Sequence, residues 1–323
     1  MKISTLIARS LPAIALALAA FGAHAQDYPN RPIKLIVPYT PGASTDVISR
    51  SFADEASKVI GQPIVVENRG GAGTAIGTQT ARQAPADGYT LLFGSGTMIS
   101  TMLALKEPGY AMKDFTPVTM LGDQFYALLV PKALPISNAK EFVEYAKKNA
   151  SKMNYGMLGA GSPSHVLAER FARSAGFQWQ DIAFRGGTPT MTAVMSNDVQ
   201  GYFATQSFST TFASSDKVRI LAIGADERGE FLPDVPTFKE LGYNGVVEQG
   251  WYALFVRSDT PKPIIEKLQK ISAEVMASAA MKGHLKSAGL SSYKGTIESF
   301  LANLDTEIKQ KADDAKRLGI EPQ

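Results

Sequence analysis

Small and hydroxyl-bearing residues gather in four short turns, each of which follows an apolar segment and precedes an amphipathic one. The turns lie at 40–45 (TPGAST), 94–97 (GSGT), 159–164 (GAGSPS) and 186–189 (GGTP). Turns of this kind combine little side-chain bulk with backbone N–H groups at the start of a helix, where the helix dipole is positive. The chemistry that they suit is the binding of a small anion.

Each of these turns has a simpler explanation when it is taken alone. Ser, Thr and Asp are preferred helix N-caps, and Gly is common in turns whatever a protein does. In the segment 37–50 (VPYTPGASTDVISR), a helix would open on Ser44, Thr45 and Asp46. A binding site is favoured over independent caps only if several of these turns converge.

The elements around the turns predict such convergence. From Arg31 onward, short apolar runs at 33–39, 63–69 and 89–95 alternate with amphipathic segments at 44–61 and 74–84. This alternation predicts strands joined by helices, and therefore a parallel sheet with both faces covered. Because such sheets bind ligands at the carboxyl ends of their strands, we expect the turns to line one edge.

The alternation is interrupted at 125–132 (FYALLVPK), after which a second cycle of strands and helices begins. This pattern predicts an inserted domain at 126–249, with 26–125 plus 250–323 forming the other domain. Two helices in the last 62 residues, at 262–285 and 296–319, have no strands of their own and are expected to pack on the first domain. The chain then crosses between domains twice, which predicts a two-strand hinge.

The first 25 residues have the features of a secretory signal peptide. Lys2 and Arg9 supply a basic start, 11–22 (LPAIALALAAFG) supplies a short apolar core, and Ala23, His24 and Ala25 form a cleavage pattern. We therefore expect a secreted chain cleaved near Ala25, with an uncleaved membrane anchor as the alternative.

Charge and cysteine content exclude several classes of protein. Removal of Lys2 and Arg9 with the leader brings the 33 Lys and Arg residues almost level with the 30 Asp and Glu residues. A nearly neutral chain gives no reason to expect nucleic acid or an anionic membrane as a partner. The chain has no Cys, which excludes disulfides and thiolate metal sites.

The sequence motifs that would indicate an enzyme are weak or missing. The segment 71–77 (GAGTAIG) resembles a dinucleotide fingerprint, but its spacing is G-x-G-x-x-x-G and the strand after it ends without an acid. No G-x-S-x-G motif and no Walker A lysine occur, and beyond the leader only His165 and His284 remain. We expect no catalysis, cofactor or metal, and a nucleotide-dependent enzyme is the alternative of a different class.

One arginine and several aromatic residues are further candidates. Arg185 follows the predicted strand DIAF and precedes a Gly-Gly helix entry, where its guanidinium could bind a carboxylate through a bidentate interaction. The simpler interpretation is that Arg185 is a solvent-exposed surface charge. Most aromatic residues near the strand ends are expected in the core, and two or three could line a ligand-binding site. They are Tyr39, Phe125, Phe184, Phe203, Phe208, Trp251 and Tyr252.

Five long segments together carry a resemblance to a known family. They are 28–50, 61–95, 154–171, 184–203 and 218–242, beginning with YPNRPIKLIVPYTPGASTDVISR and ending with VRILAIGADERGEFLPDVPTFKELG. Taken in order, they resemble the Bug family, the periplasmic receptors of tripartite tricarboxylate transporters. The resemblance implies a type II periplasmic binding protein of two doubly wound α/β domains, which binds a small carboxylate.

The resemblance also implies where the ligand lies. One carboxylate is expected on helix N-termini, between the turn at 39–46 and the turns at 159–165 and 185–189, with ordered water at the other end. The expected ligand-binding residues are Tyr39, Thr40, Gly42, Ala43, Ser44, Thr45, Asp46, Ser95, Thr97, Ala160, Gly161, Ser162, His165, Arg185, Gly186, Thr188 and Thr205.

Two departures from the family pattern refine the expected ligand. Ala43 replaces a common glycine, and Thr205 replaces an acid that often follows its strand, which disfavours ligands with an ammonium group. Arg185 adds a charge that suits a second carboxylate. We therefore predict a monomeric receptor that closes on a dicarboxylate and presents it to a transmembrane permease, with a monocarboxylate or a neutral aromatic compound as the alternative.

Overall fold

Two five-stranded sheets form the framework of the protein. The computed structural model describes residues 28–42, 44–248 and 250–322, so the predicted leader at 1–25 lies outside the described residues. The strands are β1 (Ile33–Val37), β2 (Ile64–Asn68), β3 (Thr90–Ser95), β4 (Phe115–Gln124), β5 (Tyr126–Pro131), β6 (Asn154–Met157), β7 (Gln180–Ala183), β8 (Gly201–Thr205), β9 (Val218–Ile223) and β10 (Gly250–Arg257).

Helices join most of these strands and cover the sheets. They are α1 (Ser44–Ile60), α2 (Ala75–Gln83), α3 (Thr97–Ala104), α4 (Ala139–Lys148), α5 (Pro163–Ala175), α6 (Gly187–Met195), α7 (Gln206–Thr210), α8 (Lys262–Ala277), α9 (Ala279–Ser287) and α10 (Ile297–Arg317). Short 3₁₀ turns occur at Ala72–Thr74, Met112–Asp114 and Ala150–Lys152. None of the helices in the described part of the chain has the length and hydropathy that a bilayer crossing needs.

The two sheets share one strand arrangement. The first has the order β2-β1-β3-β10-β4 and the second the order β7-β6-β8-β5-β9. In each, three neighbouring strands are parallel: Leu35 of β1, for example, lies opposite Val66 of β2 and Leu91 of β3. The strands β10 and β5 run antiparallel to both of their neighbours.

The sheets are therefore mixed, whereas the sequence predicted parallel ones. The reason is that β5 and β10 each enter their sheet from the other sheet. Only Phe125 separates β4 from β5, so the chain passes directly from one sheet into the next. The parallel strands end at the edge where this crossing occurs, and a strand that starts there must run the opposite way.

We call the first sheet with its helices the first lobe, and the second sheet with its helices the second lobe. Both α8 and α10 contact β4, and α9 contacts α1, so the C-terminal helices belong to the first lobe. The predicted helix at 262–285 is interrupted, because Ser278 has extended backbone and its Oγ accepts the N–H of Met281 at 3.1 Å. The domain boundaries at 125 and 250 stay a prediction.

Close packing at one glycine fixes the position of α2 against the end of β1. A Cβ on Gly77 would lie 2.7 Å from Cβ of Pro38 and 2.8 Å from the carbonyl oxygen of Arg69. Real Cβ atoms do not approach a ring or a backbone this closely, so only glycine lets α2 approach the strand. Pro38 directly precedes the predicted binding turn at 39–46. Helix α2 therefore packs against the residue that leads into this turn.

We expect Gly77→Ala to lower the free energy of unfolding by about 1–3 kcal/mol, as overpacking of a core does. The matched control is Gly283→Ala in α9, where the added Cβ meets nothing within 4 Å. At that exposed helical position alanine should instead stabilise by roughly 0.5–1 kcal/mol. Urea unfolding of both variants measures the difference, and equal effects would contradict the close contact.

Candidate functional site

A cleft of about 410 Å³ lies between the two lobes, within the usual range for small-molecule sites. Both lobes contribute to its walls, and we call it the interlobe cleft. Seven of the sequence-predicted residues line it: Tyr39, Ser95, Thr97, Ala160, Gly161, Ser162 and Thr205. The turns at 94–97 and 159–164 therefore meet across one cavity.

The strand register explains why these residues converge. At the start of β10, Tyr252 pairs with Ser95 at the end of β3. At the start of β5, Tyr126 pairs in the same way with Thr205 at the end of β8. All four residues line the interlobe cleft. Each sheet thus contributes one strand end and the first residues of one entering strand.

Neutral hydroxyl groups form the part of the first-lobe wall that lies around β3 and β10. The Tyr39 hydroxyl lies 2.7 Å from Ser95 Oγ, which also accepts the N–H of Thr97 at 3.2 Å. Burial raises the pKa of Tyr39, against hydrogen bonds to Ser95 and Thr97 that lower it, so the phenol stays protonated. Burial likewise raises the pKa of Tyr252, whose hydroxyl accepts from Gln124 Nε2 at 2.7 Å. This wall can exchange hydrogen bonds without adding charge.

The second-lobe wall is the turn that leads into α5. Gly161 has φ of 73° and donates its N–H to Nδ1 of His165 at 3.0 Å. Ser162 is the N-cap of α5, and its Oγ accepts the N–H of His165 at 3.4 Å. His165 is not among the residues that line the cleft. His165 therefore stabilises the turn through these hydrogen bonds, whereas Gly161 and Ser162 line the cavity.

The turn before α1 is organised by its own carboxylate. Asp46 is buried and accepts hydrogen bonds from Gly42 N–H at 2.9 Å, Asn68 Nδ2 at 2.9 Å and Arg50 Nε at 3.1 Å. Burial opposes ionisation of Asp46, but the bonds from Arg50, Gly42 and Asn68 outweigh it and lower the pKa. A protein anion therefore already occupies this helix start.

Other predicted residues of this turn also lie outside the cleft lining. Thr40 is exposed, and Gly42 and Asp46 do not line the cavity. Thr45 is buried, and among the described residues its Oγ1 has no hydrogen-bond partner. Ala43 and the side chain of Ser44 lie outside what the structure describes. Their contact with a ligand stays a prediction.

The turn at 185–189 lies away from the cleft lining. It follows β7, which is an edge strand of the second sheet and is exposed along its length. Arg185 and Thr188 are exposed, Gly186 has φ of 123°, and none of the three lines the cleft. The sequence indicated a strand end but not that this strand lies at the margin of its sheet. Contact of these residues with a ligand stays a prediction.

The helix α10 also contributes to the cleft, which the sequence patterns did not predict. Its residues Glu307, Lys311 and Asp314 line the cleft, together with Ile320 beyond its end. Trp251 Nε1 donates to Glu307 Oε2 at 2.9 Å, and Lys311 Nζ donates to Glu248. The spacing of 307, 311 and 314 puts these side chains on one helical face, which is the only signal that the sequence offered.

A second ion pair links α10 to the opposite lobe. Arg170, on α5, donates to Asp314 on α10 and lies 3.5 Å from Glu248 Oε2. The side chains of Arg170 and Asp314 are only 15% and 8% exposed, so this pair is largely shielded from water. Helix α10 therefore packs on the first lobe and forms an ion pair with the second lobe.

Aromatic residues wall part of the cleft, as the sequence predicted for two or three of them. Tyr39, Trp251 and Tyr252 line it, and Tyr126 joins them. The other candidates lie in the cores: Phe125 and Phe203 are buried, and Phe184 and Phe208 are partly buried against a core cluster.

Comparison with known proteins shows one consistent similarity. The profile of the tripartite tricarboxylate transporter family receptor matches residues 48–318. Protein BugT of Bordetella pertussis is 30% identical over 309 residues, which cover 95% of each chain.

Solved structures extend this similarity to the fold. The periplasmic binding protein BugD is 30% identical, with a TM-score of 0.74 over 92% of this chain and all of that one. An R. palustris protein solved with adipate is 27% identical, with a TM-score of 0.77 over 92% and 100% of the two chains. MatC from Rhodopseudomonas palustris, solved with bound malate, is 27% identical, with a TM-score of 0.72 over 89% and 99%. These similarities confirm the predicted fold class.

The hydrogen bonds of Asp46 predict a pH-dependent loss in Asp46→Asn. An asparagine NH₂ would face the donors of Arg50 and Asn68, so we expect a loss of about 1.5–3 kcal/mol in unfolding free energy at pH 7. Because the folded-state pKa of Asp46 is lowered, the carboxylate stabilises the fold above its unfolded pKa of about 3.9. The difference from wild type should shrink as the pH falls below that value.

Urea unfolding at pH 7 and at several values below pH 4 measures this effect. The control is Glu266→Gln, since Glu266 is 61% exposed and lies 3.6 Å from Lys262 in a surface pair. Such pairs contribute little, so the control should change stability by less than about 0.5 kcal/mol. A loss in Asp46→Asn that is the same at every pH would contradict the role of the charge.

Proposed function

Because the chain belongs to the tripartite tricarboxylate transporter receptor family, we propose that it captures a small carboxylate in the interlobe cleft by closing its two lobes. Receptors of this family are periplasmic solute-binding proteins. The proposal assigns this chain binding and delivery, with no catalytic step.

The observation that carries the proposal is the meeting of two helix starts across one cavity. Ser162 caps α5 on the second lobe, and Thr97 begins α3 on the first lobe. Both residues line the interlobe cleft. A carboxylate at either start would accept hydrogen bonds where a helix dipole presents its positive end.

For the ligand class we propose a dicarboxylate. Two similar proteins were solved with adipate and with malate, and both of these ligands carry two carboxylates. A monocarboxylate with an apolar or aromatic body is the second candidate. It is favoured by the aromatic side chains of Tyr39, Tyr126, Trp251 and Tyr252, all of which line the cleft.

Closure would use the two chain crossings as a hinge. We propose 26–125 plus 250–323 as one moving unit and 126–249 as the other, with Phe125 and the segment before Gly250 as the hinge positions. The ligand-bound form would act as a monomer and would be recognised by transmembrane permease subunits. Small changes in backbone angles at such crossings can move whole domains.

A ligand panel tests the function. Thermal unfolding of the leader-free protein should shift upward with dicarboxylates such as adipate and malate, since a ligand that binds only the native state stabilises it. The panel also includes monocarboxylates, aromatic acids, amino acids and NAD. Small-angle scattering should report a smaller radius of gyration with the stabilising ligand. Stabilisation by NAD alone would replace the receptor proposal with an enzyme.

Substitution of Ser162 tests the carboxylate position. We expect Ser162→Ala to weaken carboxylate binding by about tenfold or more, because a charge-assisted hydrogen bond contributes about 1.5–3 kcal/mol. Loss of the N-cap should also lower stability by about 1 kcal/mol. Calorimetric titration and urea unfolding measure the two effects separately.

Ser278→Ala is the matched control. Ser278 caps α9, accepts the N–H of Met281 at 3.1 Å and does not line the cleft. It should show a similar loss of stability with unchanged ligand affinity. Equal affinity in wild type and Ser162→Ala would mean that Ser162 acts only as a cap.

A further inference from the structure

We infer that Lys311 on α10 is the cationic partner for the second carboxylate of the ligand, the one that lies away from the start of α5. This inference rests on the proposed function and names the residue that sets its ligand class. The sequence had assigned that role to Arg185, which is exposed and lies outside the cleft lining.

The position of Lys311 in the cavity supports the assignment. Among the described residues that line the interlobe cleft, it is the only Lys or Arg. Its side chain is 13% exposed, and its Cε lies 3.9 Å from the point that a Cβ on Gly96 would occupy. Gly96 directly precedes α3, so Lys311 lies beside a helix start on the first lobe.

The hydrogen bonds of Lys311 leave capacity for a ligand. An ammonium group carries three N–H donors. Lys311 donates to Glu248, and its other neighbouring carboxylate, Glu307 Oε1, lies 3.8 Å away, beyond hydrogen-bond distance. The ammonium is thus anchored on one side, and it keeps donors for an oxygen that enters the cleft.

The surrounding charges decide whether an anion can approach. Glu248, Glu307 and Asp314 face Lys311 and Arg170, and Arg317 lies 4.0 Å from Asp314 Oδ1. Burial alone would lower the pKa of Lys311, but Glu248 and Glu307 outweigh it and raise the pKa, so the ammonium stays charged. Burial also raises the pKa of Glu307, with help from Glu248 and against Lys311 and Trp251. With three carboxylates and three cations, the cluster carries no excess negative charge.

The two lobes then present different donors to the cavity. At the second lobe, the start of α5 offers a helix N-terminus. At the first lobe, Lys311 offers a full charge beside the start of α3. A linear diacid that reaches from one lobe to the other can accept from both sets of donors, whereas a monocarboxylate of the same length leaves the donors of Lys311 without a carboxylate partner.

Calorimetric titration with matched ligands tests this inference. Adipate and hexanoate have the same chain length and differ by one carboxylate. We expect Lys311→Met, which keeps most of the side-chain volume, to weaken adipate binding by at least tenfold and hexanoate binding by less than threefold. Lys309→Met, at an exposed position of the same helix outside the cleft lining, is the control and should leave both affinities within twofold of wild type.

A second variant separates direct contact from charge balance, because Lys311→Met leaves Glu248 without its partner. Lys311→Met combined with Glu248→Gln removes one charge of each sign and keeps the net charge of the cleft. If Lys311 binds the ligand directly, this double variant should still bind adipate at least tenfold more weakly than wild type. Recovery of adipate affinity would overturn the inference, and so would equal losses for both ligands or no loss for either.

The wild-type protein distinguishes this inference from the proposed function. Binding of hexanoate without adipate would overturn the role of Lys311 and leave the carboxylate receptor standing. Stabilisation by no carboxylate in the panel would overturn the proposed function itself.

Discussion

The pairing of each entering strand with the end of a parallel strand is the constraint on which the rest of the structure depends. Tyr252 lies opposite Ser95 in the first sheet, and Tyr126 lies opposite Thr205 in the second. Because both crossings start where parallel strands stop, backbone from both sheets meets at one edge. The helix starts that follow β3 and β6 must face each other there, and a cavity between them is the result.

Much of the fold could be predicted from sequence periodicity, but strand direction could not. The helix at 44–61 was predicted almost to the residue, because Gly61, with φ of 74°, ends it. β4 was not predicted, since Pro117 and Gly122 interrupt its apolar pattern. The antiparallel entry of β5 and β10 depends on where the chain goes between sheets, and no local pattern of residues carries that information.

The candidate site was predictable where it consists of turns and unpredictable where it consists of long-range contacts. Seven of the predicted residues line the cleft, because the strand ends of each sheet share an edge. Asp46 looked like part of an anion site, but only the fold reveals that its carboxylate accepts from Gly42 and Asn68. Likewise, the pair between Arg170 and Asp314 joins residues 144 positions apart, so the charged face of α10 gave no sign of its neighbour.

The segment after α10 gives the protein a built-in reporter position. Ile320 Cδ1 lies 3.1 Å from the point that a Cβ on Gly161 would occupy, so this segment rests against the turn that begins α5. Glu321, the next residue, is exposed. A fluorophore attached there would lie on the segment that follows α10, beside the turn that begins α5 on the other lobe. Its emission would depend on whether this segment stays in contact with that turn, so the receptor could be read out as an optical sensor without any change to its interior.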